Sequence, residues 1–170
     1  MPDAPFKRAV EQPASTFQSQ SSSMHDYDDP EAEAQWCAER RQELAEYLGR
    51  EGVPRGSIGE WPAWHVVPYA SVWAIESASV KGSIGWWAIS GDVPNDYVSA
   101  NDASCPREAV QAIASLWRDA AQYMSRGERH PTFRIGLGQQ DEELGPMLAS
   151  RAELLLEWVD DASIWEEDDV

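Results

Sequence analysis

Tyr69-Ala-Ser-Val-Trp-Ala-Ile-Glu-Ser77, followed by Ile84-Gly-Trp-Trp-Ala-Ile-Ser90, fixes the fold class of this chain. β-branched and aromatic residues crowd both pieces, and Lys81-Gly82 between them reads as a turn, so the pair is predicted to form antiparallel strands. Along the first piece, Tyr69, Ser71, Trp73 and Ile75 share one face, while Val72, Ala74 and Glu76 share the other. Both faces are largely apolar, as in a strand that is central or covered on both sides. Trp64-His-Val-Val67 supplies a short strand before the pair. After it, Pro94-Asn-Asp96 reads as a turn into the short extended piece Tyr97-Val-Ser99, and Phe133-Arg-Ile-Gly136 is a further extended segment.

Helical patterns flank these strands. Asp29 is placed to cap a helix that Pro30 opens, with Glu31 and Glu33 at its positive end. Trp36, Arg40, Leu44, Tyr47 and Leu48 then recur at three- and four-residue steps until Gly52. A second helix starts at Pro106 behind Ser104 or Cys105 and ends at Gly127, with Val110, Ile113, Leu116, Trp117, Ala120, Tyr123 and Met124 on one stripe. A third is predicted over residues 146–160, with Met147, Leu148, Leu154, Leu155 and Trp158 inward. The order helix, antiparallel strands, helix, helix predicts a two-layer α+β domain: a small sheet of three to four strands packed against about three helices.

At 170 residues the chain has the length of one domain. Residues 1–28, rich in Ser, Gln, Pro and Asp, read as a disordered arm, residues 29–165 as the single domain and residues 166–170 as an acidic tail. The formal net charge is −17, divided as −5 over residues 1–35, −2 over residues 36–140 and −10 over residues 141–170. This charge opposes phosphate backbones and anionic membrane surfaces, so nucleic acid and membranes are not expected partners, whereas a basic protein is. No apolar run approaches the roughly 18 residues that span a bilayer, and the first residues carry no apolar signal core. With two cysteines 68 positions apart, Cys37 and Cys105, a disulfide framework or cysteine zinc site is not expected, and the default location is the cytoplasm.

Candidate site residues come from the tryptophans. Five of the nine fall within residues 61–87: Trp61, Trp64, Trp73, Trp86 and Trp87. They either pack a core or present a platform to a ligand or a protein. Trp86 and Trp87 are adjacent, so on a strand they point to opposite faces. Glu76, inside an apolar strand, is read as a structural ion pair, for example with Arg40 or Arg118, or as a catalytic or metal-binding acid beside Glu60, His65 and Asp92, or as simply solvated. Trp165 either folds back onto the core or belongs to an acidic–aromatic peptide for a basic groove. Cys37 reads as a small buried hydrophobe, Cys105 as a cap residue, and His130 as an exposed connector. His25 among Asp26, Asp28 and Asp29 offers a loose cation contact only. Gly136-Leu-Gly138 lacks the third glycine of a dinucleotide loop, and no Walker A, GxSxG or HExxH sequence occurs. No cofactor or metal is expected.

Trp36-Cys37, Gly59-Glu-Trp-Pro-Ala-Trp64, Val72-Trp-Ala-Ile-Glu76, Gly85-Trp-Trp87, Gly91-Asp92 with Pro94 and Asp96-Tyr97, Pro106-Arg-Glu-Ala109 and Ser150-Arg-Ala-Glu-Leu154 together carry a resemblance. Over about three quarters of its length, from Trp36 to Trp165, the chain resembles an uncharacterised family of small bacterial, acidic, Trp-rich proteins, a domain of unknown function. The resemblance implies a bacterial, cytosolic protein and carries no activity or catalytic residue. The functional expectation is a non-enzymatic protein-interaction domain of regulator, adaptor or toxin-neutralising type. The alternative is a small-molecule or carbohydrate binder, hydrolytic or not, in which Trp61, Trp64, Trp86 and Trp87 line a pocket around Glu76, His65 and Asp92. A third possibility places the function in the N-terminal arm alone.

Overall fold

The computed structural model describes residues 8–10, 27–128, 130–131, 133–135 and 141–165. Its first helix, α1 (Pro30–Glu51), is capped as its sequence dictates. The Asp29 side chain accepts from the Glu31 N–H, and Gly52 closes the helix in the left-handed region at φ 67°.

Five antiparallel strands follow: β2 (Arg55–Ile58), β3 (Trp64–Val66), β4 (Ala70–Ser77), β5 (Ile84–Gly91) and β6 (Val93–Ser99). β4 and β5 are the predicted pair. β2 and β3 lie end to end along the outer edge of β4, with Ile58 opposite Ile75 and Trp64 opposite Val72. The sheet thus has one strand more than the upper expectation, because Arg55-Gly-Ser-Ile58 shows no alternation by which to recognise it. Pro94-Asn-Asp96 is strand rather than turn. The reversal occurs three residues before Pro94, at Gly91, whose φ of 142° suits glycine and where a Cβ would fall 2.5 Å from the Tyr69 carbonyl oxygen.

Helices cover both faces. On one side α1 packs Leu44, Tyr47 and Leu48 against Ile58, Trp73, Ile75, Ala88 and Tyr97. On the other, α2 (Pro106–Ser125) packs Val110, Ile113, Ala114 and Trp117 against Val72, Trp87, Ile89 and Val98. Successive strand residues therefore serve opposite cores, as the pleat requires. The architecture is α+β, with the helical layers placed on both sides of the sheet because β4 and β5 are apolar on both faces.

The third helix, α3 (Asp141–Asp160), begins five residues before the predicted start, so Pro146 lies inside it. Its buried stripe is Leu148, Ala152, Leu155 and Val159, whereas Met147, Leu154 and Trp158 are only partly covered. α3 packs on α2, where Arg107 donates from Nε and Nη2 to the Val159 carbonyl at 2.9 and 2.6 Å. A 3-10 turn, Ala162–Ile164, returns Trp165 to the core. Within the predicted arm, β1 (Arg8–Val10) pairs in parallel with β7 (Phe133–Ile135). Residues 1–7 and 11–26, the tail 166–170 and the Gly136–Gly138 segment lie outside the described residues.

Candidate functional site

Strand register decides which polar side chains meet. On the α1 side of the sheet, His65 of β3 lies opposite Ser71 of β4, and Ser71 lies opposite Ser90 of β5. Between the pairs Ile89–Asp96 and Gly91–Val93 the register shifts, leaving Ser90 opposite Pro94 and Asn95 of β6. Asn95 alternates with Asp96 and so shares the side of Tyr97, which meets Tyr47 of α1. His65, Ser71, Ser90 and Asn95 thus form a polar row across four strands. Ser71, Ser90 and Asn95 are all buried.

α1 supplies charged partners above this row. Glu33 Oε1 contacts His65 Nε2 at 2.5 Å. Glu43 Oε2 accepts from the Ser90 hydroxyl at 3.1 Å and lies 3.2 Å from Arg40 Nε. The Arg40 guanidinium also sits over the Trp36 ring, 5.6 Å from its centroid. Ser71 donates to the Ser90 carbonyl at 3.0 Å and accepts from Trp73 Nε1 at 2.8 Å. Two atoms of the seam lack a hydrogen bond: Asn95 Oδ1, and Arg40 Nε, which is not aligned on Glu43 despite its proximity. Cys37 lies in the same interface, its thiol pushed up to about 11 by burial and by Glu33, so it is no nucleophile near neutrality.

The row opens at the sheet edge. Trp61, between β2 and β3, is 50% exposed and meets the His65 ring edge-on at 5.4 Å. Exposed Glu60 precedes it, and Tyr69 is equally exposed beyond β3. Among the described residues β2 and β3 pair only with β4, so their outer edge is open. Arg41 donates to the Ile58 and Gly59 carbonyls at 2.8 and 2.9 Å, anchoring the chain where it leaves β2.

The other candidates separate. Among the described residues Glu76 pairs with no arginine: its carboxylate accepts from the Gly82 N–H at 3.0 Å and the Ser57 N–H at 3.3 Å. Those backbone donors, aided by Lys81, hold it below the usual carboxylate range. It lies five positions along β4 from Ser71, the partner of His65, or about 17 Å at strand rise. Asp92 is exposed and bonds Arg151 at 3.1 Å. Trp73, Trp64 and Trp87 are buried, the last donating to the Ala103 carbonyl at 3.0 Å. Trp86 and Trp87 do take opposite faces; Trp86 is half-buried and donates to the Pro54 carbonyl at 3.0 Å. Trp165 folds back, stacked on Trp64 with centroids 4.3 Å apart and Nε1 donating to the Trp158 carbonyl at 2.8 Å. Of the predicted site residues, Trp61 meets His65 at the sheet edge and Trp165 stacks on Trp64 inside the α2-side core.

No motif in the sequence marks Glu33, Glu43, Ser71, Ser90 or Asn95 as site residues, and Arg40, expected as a partner for Glu76, pairs with Glu43 instead. The signal for Ser71 was present, a hydroxyl between Tyr69 and Trp73 on one strand face; the charged partners depend on tertiary packing. Among the described residues no group of three or more His, Cys, Asp or Glu side chains is placed to hold a metal ion, and no helix is long and apolar enough to cross a membrane.

No curated protein and no solved structure matches the chain. Residues 31–165 match a sequence family that spans α1 through Trp165 and so contains the polar row and its open end. The chain belongs to that family, Domain of unknown function (DUF4826).

Proposed function

We propose that this chain is a non-enzymatic, acidic protein-interaction domain of the regulator, adaptor or toxin-neutralising kind, and that it engages a basic partner at the β2–β3 edge. The observation that carries this reading is Trp61. Of nine tryptophans it is the one left half exposed, while six are buried and Trp86 and Trp158 are intermediate. A half-exposed indole on an open sheet edge, beside Glu60 and Glu33, has the composition of a binding anchor for a cationic segment. The net charge of −17 would steer such a partner to the domain. We place the protein in a bacterial cytoplasm, a setting in which both free cysteines stay reduced.

Affinity capture from native lysate with the wild type and Trp61→Ala side by side tests the proposal. The expected result is a stoichiometric basic protein that raised salt releases and that Trp61→Ala fails to retain. Equal capture by both proteins, or none by the wild type, overturns it.

A further inference from the structure

A buried polar atom normally has a hydrogen-bond partner, supplied by protein or by internal water. The seam under α1 holds two that do not, and they are opposite in kind. Arg40 Nε carries a donor hydrogen; Asn95 Oδ1 is an acceptor, on a residue only 2% exposed. They flank a connected path: Arg40 Nε is 3.2 Å from Glu43 Oε2, which is 3.1 Å from Ser90 Oγ. Ser90 lies across the register shift from Pro94–Asn95 on neighbouring strands.

We propose that this seam is a built water site, in which an ordered water accepts from Arg40 Nε–H and donates to Asn95 Oδ1. The chemistry selects the occupant. A metal cation cannot accept from Arg40. A simple anion cannot donate to Asn95 and is opposed by the Glu43 carboxylate. A water molecule does both, and its second hydrogen can be donated to Glu43 Oε2 or Ser90 Oγ, as internal waters commonly make about three hydrogen bonds. The water joins α1 to β5 and β6 through groups that do not bond each other directly. It places the hydrated part of the interior in the same row as His65 and the exposed Trp61.

Two measurements test this on the full chain. Protein–water cross-relaxation should give cross-peaks from the Arg40 Nε–H to solvent, with the sign of a long-residing molecule. Thermal unfolding of Arg40→Met, Asn95→Ala and the double variant should be non-additive. Each single change is expected to lower Tm by roughly 2–4 °C, with the double lowering it by clearly less than their sum, because either change breaks the same bridge. Absence of the solvent cross-peak overturns the proposal, as does an additive cycle, and the wild-type cross-relaxation result stands even if a variant fails to fold.

Discussion

The two faces of the sheet are built from alternate residues of the same strands, yet they hold their helices differently. Against α2 the contact is apolar: Val72, Trp87, Ile89 and Val98 meet Val110, Ile113 and Trp117, and among the described residues the buried polar side chain on that side is Asp96. Its Oδ2 accepts from Trp117 Nε1 at 2.9 Å and its Oδ1 from the Tyr97 N–H at 2.8 Å. Against α1, three buried polar residues and an Arg40–Glu43 pair share the interface with the apolar contacts. Apolar burial is non-directional and scales with area, whereas buried hydrogen bonds contribute modestly and penalise misplacement. The comparison therefore assigns most stability to the α2 side and directional constraint on helix placement to the α1 side.

Truncation on the apolar α2 side should produce the largest effect. Trp117→Ala removes a fully buried indole and a donor to Asp96, and should cost about 3–5 kcal/mol in denaturant unfolding. On the polar side, Ser71→Ala leaves the buried Trp73 N–H without its acceptor and should cost about 1–3 kcal/mol. A Ser71→Ala loss as large as that of Trp117→Ala would erase the proposed contrast.

Glu76 works outside both cores, at the turn between β4 and β5. Its carboxyl is held below the ordinary value in the fold, so its contribution is present above the unfolded pKa of about 4.3 and fades as pH falls through the lower folded value. The Tm difference between wild type and Glu76→Gln should be open at neutral pH and close on acidification. A difference that stays constant through that range would show that the charge does not clasp the turn. The smallest effect belongs to Trp61→Phe, which should change stability by less than about 0.5 kcal/mol while removing the fluorescence component most open to acrylamide.

Local pattern carried much of this architecture. Caps and three-to-four spacing located α1 and α2, and the apolar alternation of residues 69–77 implied cover on both faces. The adjacent pair Trp86 and Trp87 split as the pleat demands. What escaped detection depends on distant partners. Glu76 stands out as an acid in an apolar strand, yet its partners are the backbone N–H groups of Ser57 and Gly82, which no side-chain pattern advertises. Among the described residues Asp96 is the buried acid, concealed because Pro94-Asn-Asp has the composition of a turn. The polar row needs three strand registers at once, and one includes a shift at Ser90 that cannot be counted from sequence.

The Trp64–Trp165 stack has an optical consequence. Two indoles with centroids 4.3 Å apart and planes 15° from parallel couple their excited states. Because the rings are 101 positions apart along the chain, that coupling exists only while Trp165 is seated. A circular dichroism couplet from the pair would report, without any added label, the docking and release of the last turn.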